Sequence, residues 1–332
     1  MLTLSAKENR MLNDTLIWDA HAGLFPTPDM DLNVLEHWQK HEVDYLSINV
    51  GFDVMSKDET MAVLTAYRNW MLEHTESFVL ASKFADIDKA LQSGRLAISF
   101  DIEGMNALGG DLNMVEVYHG LGVRQMLFAY NLTNEAAGGC HDTDIELTPF
   151  GIKVLAEMNR VGMIVDASHT SFRTSMDLIE RSLTPVVFSH SNPTSVWPHQ
   201  RNITDEQIKA CAEKGGVIGL NGLAIFLGDN DTSSETLLCH LNRLIDIAGP
   251  AHVGLGFDYT PDMTVDIGAI LRARPDYWPA GQQYDTRNIG HVGPSKIPTL
   301  VEGMESYGLS ESEIAGVLGG NFARIAKQSW AI

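Results

Sequence analysis

The chain has 332 residues, 44% of them hydrophobic and 20% charged, with 43 acidic against 23 basic side chains and a formal charge of −20. Such a composition fits a folded protein of enzyme size, and so acidic a surface repels phosphate backbones and anionic lipid, which sets aside nucleic acid and membranes and leaves small molecules as partners. No stretch reaches the 18 or more apolar residues of a membrane span, and MLTLSAKENRMLNDT at the start lacks a basic stretch leading into an apolar one, so a cytoplasmic protein is expected.

Short apolar or β-branched runs recur along the chain: LIWDAH (16–21), VDYLSINV (43–50), RLAISFDIE (95–103), VRQMLFAY (123–130), GMIVDASH (162–169), TPVVFSH (184–190), GGVIGLNG (215–222) and HVGLGFD (252–258). They read as strands buried on both faces. The intervening stretches suit helices. TPFGIKVLAEMNRVG sets Phe150, Val154, Leu155 and Met158 at helical spacing after a Thr-Pro start, and ITDEQIKACAEKGG offers Thr204 as a cap with Gln207 three residues on. Strands alternating with helices predict an α/β protein, a single (β/α)8 TIM-type barrel over residues 1–332. Its site would lie at the C-terminal strand ends, beneath long loops at 131–146 and 259–292.

The last residues of those runs carry the chemistry. Three runs end in histidine (His21, His169, His190), one in Glu103, one in Tyr130 and one in Asp258. A lone histidine is most often a core or capping residue. Imidazoles and a carboxylate converging from different strands are instead the ligands of a catalytic zinc, which keeps one position for water. Glu103, with two oxygens, is suited to bridge one or two ions, and water activated there becomes a nucleophile near neutral pH. Cys140 and His141, in NLTNEAAGGCHDTD (131–144), are expected to pack over the substrate rather than bind metal. Cys140, Cys211 and Cys239 lack CxxC spacing, so reduced thiols are expected.

The stretches SFDIEG (99–104), LTPFGIKVLAEMNRVGMIVDASHTS (147–171), PVVFSHSNP (185–193), RNITDE (201–206), HVGLGFD (252–258), YWPAGQQYDT (277–286) and GGNFARI (319–325), in that order, resemble the membrane dipeptidase (renal dipeptidase) family of zinc peptidases, particularly its soluble bacterial branch. The resemblance implies a metallo-dependent hydrolase barrel that cleaves dipeptides and often pairs into homodimers. It implies one zinc on His21, an Asp two residues later and Glu103, and a second on Glu103, His169 and His190. It further implies that Asp258 orients the attacking water and shuttles its proton, and that Arg201 binds the substrate carboxylate, a pairing guanidinium geometry favours.

Two departures from the family pattern stand out. Where the family has His-x-Asp, this chain has His21, Ala22 and Gly23, so the first metal position is expected to be weak, completed by water, or empty. Asp19 shares a strand face with His21, one layer deeper, where it would orient a histidine. Tyr130 replaces a histidine thought to bind the oxyanion in the mammalian enzymes. With Asn131 it is expected at the substrate, its phenol donating to the developing charge. Two alternatives stay open: hydrolysis of an acyl-amino acid, lactone or modified peptide at the same site, and a metal-poor binding homologue without turnover.

Overall fold

The computed structural model describes residues 15–261 and 267–330. Among them are nine strands: β1 (Trp18–Ala22), β2 (Tyr45–Phe52), β3 (Phe78–Leu80), β4 (Leu96–Glu103), β5 (Val123–Leu127), β6 (Ile164–Asp166), β7 (Val187–Phe188), β8 (Val217–Leu220) and β9 (Val253–Leu255). All pair in parallel, in the order β2-β1-β9-β8-β7-β6-β5-β4, and β2 also pairs with β4, so eight strands close into a barrel with helical returns outside. The closed cylinder is the expected (β/α)8 barrel, built from the eight runs read in the sequence. β3 was not foreseen. It is three residues long, too short to show a period, and pairs with Leu96–Ile98 of β4, whereas β5 pairs with Phe100–Glu103.

Local chemistry sets the returns. The helix Pro149–Val161 starts at Thr148, whose hydroxyl accepts from Gly151 N, and stops at Gly162, whose φ of 81° suits a residue without Cβ. Its buried face holds the expected Val154, Leu155 and Met158, with Phe150 half-buried. Thr204 and Gln207 form the expected capping box of the helix Asp205–Glu213. Among the described residues no helix is long and apolar enough to cross a membrane.

Polar side chains occupy the barrel interior. Ser47 donates to Asp101 Oδ2 (2.6 Å), Gln125 to Asp166 Oδ2 (3.1 Å), and Tyr45 pairs with Ser99. Ser99, Asp101 and Glu103 alternate along β4, so all three share one face and rise in layers toward the C-terminal mouth. The strands end earlier than the apolar runs suggested. Tyr130, His169 and Asp258 lie three residues beyond their ladders and His190 two. The chain turns there: Asn131, His169 and Asp258 have φ of 59°, 65° and 52°, a left-handed conformation in which Asn, Asp and His are over-represented. Side chains at such turns point over the barrel mouth instead of along its wall.

Candidate active site and metal centre

Glu103 stands at the middle of the mouth. Its Oε1 lies 3.3 Å from His169 Nε2, 3.3 Å from His190 Nε2 and 3.5 Å from His21 Nε2, while His169 and His190 approach each other at 3.1 Å. Bonds of about 2.0–2.1 Å in a tetrahedral zinc site put neighbouring ligand atoms about 3.3 Å apart. The Glu103–His169–His190 triangle therefore has the edges of one face of such a tetrahedron. Oε1 is also buried without a hydrogen-bond partner, a costly state for a carboxylate oxygen unless a cation meets it. His21, Glu103 and His190 likewise each offer an atom within 4.8 Å of the other two. The residues present fit a divalent ion.

Neighbours hold each of these side chains in place. Asn131 Oδ1 accepts from His169 Nδ1 (2.7 Å), an orientation fixed because Asn131 Nδ2 donates to the carbonyl of Tyr277 (2.9 Å). His169 thus carries its proton on Nδ1 and presents a lone pair at Nε2. His190 Nδ1 pairs with Ser189 Oγ (2.6 Å), and its ring stacks on that of His21 at 4.0 Å. Asn49 Nδ2 donates to Glu103 Oε2 (2.6 Å), so that oxygen is engaged from behind and Oε1 alone faces the imidazoles.

Electrostatics agree with a cation site. Burial pushes the Glu103 carboxyl up to about 8 despite the opposing pull of the His21 charge. Burial alone would keep His21 neutral, but the charges of Asp101 and Glu103 outweigh it and raise the imidazole to about 10. Burial, joined by the positive charges of Arg201 and His21, holds His169 and His190 well below the usual histidine value, so both rings are neutral and available as ligands. In this pocket a proton on His21 does what a bound cation would do, neutralising neighbouring acids.

Asp19, expected behind a histidine, is elsewhere. Its carboxylate accepts from Trp38 Nε1 (2.8 Å) and from Phe257 N (3.0 Å), tying β1 to the surrounding chain. The acid at His21 Nδ1 is Asp101, 3.2 Å away and itself held by Ser47. Asp101 was legible in SFDIEG, since it alternates with Glu103 on one strand face. Asn49, Asn221 and Ser189 carried no comparable signal.

Gly23 is also explained by its surroundings. A Cβ there would lie 2.3 Å from Asp258 Oδ1 and 2.7 Å from the Asp258 carbonyl oxygen. Beyond the ladder, Asp258 N donates to His21 O (3.1 Å) and Gly23 N to Tyr259 O (3.2 Å), so the chain after β9 runs tightly along β1. Asp258 Oδ1 reaches within 3.6 Å of His21 Nε2, and Asn221 Nδ2 donates to its Oδ2 (3.1 Å).

The remaining candidates divide. Tyr130 stacks on His169 at 4.4 Å, and its hydroxyl accepts from Trp278 Nε1 (3.1 Å), which leaves its proton to donate into the site. Burial raises that hydroxyl well above the usual tyrosine value and keeps it protonated. Asn131 is fully buried behind His169 with both ends engaged. Arg201, 2% exposed, donates to Ser191 Oγ (3.0 Å) and His190 O (2.8 Å), leaving buried Nε without a partner. It borders the groove shared by Cys140 and His169 and does not line the cavity over Glu103. Cys140 Sγ meets Asn131 and His141 pairs with Tyr284, so neither points at the imidazole cluster.

A cavity of about 680 Å³, counting the part open to solvent, lies over Glu103, His169 and Asp258. Its walls are largely apolar, with Phe25, Phe52, Leu223, Phe226, Trp278 and Ile289 prominent. Trp278, Tyr284 and Ile289, from the segment after β9, are among these walls; residues 262–266 of that segment fall outside the described part of the chain.

Comparison with known proteins is consistent with this geometry. Residues 29–269 match the family described as membrane dipeptidase, peptidase family M19. A dipeptidase of Aspergillus oryzae is 29% identical over 264 residues, 77% of this chain and 57% of that one, so the chain spans little more than half that relative's length. An amidohydrolase structure from Pseudomonas aeruginosa has a TM-score of 0.86 at 25% identity, covering 98% of this chain and 99% of its own. A metallopeptidase of Rhodobacter sphaeroides, solved with a phosphinate mimic of the dipeptide L-Ala-D-Ala, has a TM-score of 0.76 at 20% identity, over 96% and 100% of the two chains. With its family match covering most of its length, the chain belongs to the membrane dipeptidase family, peptidase family M19.

Proposed function

We propose that the chain is a zinc-dependent dipeptidase whose substrates carry an apolar side chain. The carrying observation is the triangle of Glu103 Oε1, His169 Nε2 and His190 Nε2, with edges of 3.1–3.3 Å around an oxygen that has no other partner. Zinc held by these three residues would polarise the scissile carbonyl and make a water acidic enough to attack near neutral pH.

The protein's own groups then complete the reaction. Asp258, held by Asn221, takes the proton of the attacking water and returns it to the departing amine. Tyr130 donates its phenolic hydrogen to the oxygen that gains charge, its direction set by Trp278 and its ring by His169. Arg201 supplies positive charge behind His190, from the groove it shares with Cys140 and His169, and draws the substrate carboxylate toward that side. The apolar cavity walls accept a hydrophobic side chain and exclude bulk water from the reacting carbonyl.

The experiment is a substrate profile of zinc-loaded protein against free dipeptides, the corresponding N-acyl amino acids and lactones, repeated after chelation and after zinc is restored. Dipeptides with bulky apolar residues should be cleaved best, with activity lost on chelation and recovered on reloading. Preference for N-acyl amino acids or lactones would reassign the substrate. No turnover by metal-loaded protein would leave a binding protein.

A further inference from the structure

We propose that Asp258 is a metal ligand in this chain, taking at the His21 position the place that an Asp at residue 23 holds in the His-x-Asp pattern. The proposal rests on the metal site proposed above and concerns its second position.

Position 23 and the Asp258 carboxylate compete for one volume. A Cβ on residue 23 would sit 2.3 Å from Asp258 Oδ1 and 2.7 Å from its carbonyl oxygen, so any side chain there must displace the carboxylate together with the backbone that carries it. With glycine at 23, Oδ1 comes within 3.6 Å of His21 Nε2, which is itself 3.5 Å from Glu103 Oε1. Both separations are close to the roughly 3.3 Å expected between ligands of one tetrahedral zinc. His21 is pinned to meet them, its Nδ1 facing Asp101 and its ring stacked on His190. The left-handed φ of 52° at Asp258 and the bond from its N to His21 O aim the side chain inward. The negative charge missing from position 23 is thus supplied from the end of β9.

The two carboxylate oxygens divide the work. Oδ1 faces His21, while Oδ2 accepts from Asn221 Nδ2 and keeps a second lone pair for the water proton. Asn221 cannot reverse its amide, because its Oδ1 accepts from Leu223 N at 2.7 Å. An asparagine at 258 would therefore turn its oxygen toward Asn221 and its NH2 toward His21, where it repels a cation.

The test counts zinc per chain and measures both affinities by chelator competition in wild-type and Asp258→Asn proteins, with thermal unfolding as a check on folding. Wild type should bind two ions. Asp258→Asn should keep one at unchanged affinity and weaken the other by roughly 100-fold, at or above the upper end of what loss of an outer-shell partner costs. Two ions bound as tightly by Asp258→Asn as by wild type would overturn the proposal and leave the dipeptidase reading standing. A wild type that binds one ion at saturating zinc would also overturn it, and one that binds none would remove the metal reading with it. If Asp258→Asn fails to fold, a crystal structure of the zinc-loaded wild type decides. An ion within about 2.0–2.2 Å of Asp258 Oδ1 supports the assignment, and an ion at His21 completed by water there refutes it.

Discussion

Replacing Asn131 by alanine severs a buried link between the His169 ring and the loop above it. Asn131 Oδ1 fixes His169 Nδ1 at 2.7 Å, and its Nδ2 holds the carbonyl of Tyr277 at 2.9 Å. Alanine leaves an N–H and a carbonyl unpaired in a dry setting, about 1–3 kcal/mol each. It must also hold a φ of 59°, which costs an ordinary residue about 1–2 kcal/mol. A loss of about 3–8 kcal/mol in folding stability follows from those costs together. Zinc affinity should fall by roughly 10–100-fold, because His169 loses the partner that sets its tautomer and angle. Asn131→Asp separates the two effects: it tolerates the same φ and still accepts from His169, but cannot donate to Tyr277. It should recover zinc affinity to within a few-fold while staying less stable than wild type. Chelator competition gives the affinities and urea unfolding the stabilities. If Asn131→Ala keeps its zinc affinity within twofold while losing stability, His169 does not depend on Asn131 and the reasoning fails.

Tyr130→Phe removes the one proton this residue can give. If it serves the oxyanion, kcat on the best dipeptide should drop by about 10²–10³ with KM and zinc content little changed; steady-state kinetics with a kcat within threefold of wild type would exclude that role. Asp44→Asn addresses pH. Burial raises the Asp44 carboxyl to about 6, partly offset by its bond from Ile17 N and reinforced by Glu42. The unfolded chain loses that proton near pH 4 and the folded chain near 6, so the wild type loses stability as pH rises between those values. The asparagine variant, which still accepts from Ile17 N, should match wild type near pH 4 and exceed it above pH 6 by thermal unfolding. A constant difference across that range would show that Asp44 does not titrate as described.

Much of this was legible because buried strands and strand-end ligands obey simple rules. The apolar run that ends in His21 holds β1, and the six run-end side chains His21, Glu103, Tyr130, His169, His190 and Asp258 lie at one mouth. Hydrophobicity could not show where each ladder stops. The runs ending in His169 and Asp258 continue as left-handed turns, and that conformation, not strand geometry, aims their side chains. Asp101, which faces His21, alternates with Glu103 on one strand face and was legible there. Asp19, matched to a histidine by the same alternation, went to Trp38, because a strand pattern names a face but not the partner across it. Asn49, Asn131 and Asn221 work through single hydrogen bonds from distant elements, which leave no local periodicity. Gly23 read as a loss from one strand, and its meaning lies in the other end of the chain.

The join between β1 and β9 is thin. One ladder pair, Asp19 with Leu255, is supplemented by main-chain bonds at His21–Asp258 and Gly23–Tyr259. His21 and Asp258 face each other across this join, so in the proposed metal site the first and last staves of the cylinder must lock before both can reach one ion. Cation capture is thereby a gauge of topological completion. Lesions that loosen the join, even on the far side of the molecule, will register as a weakened ion before they register as lost secondary structure.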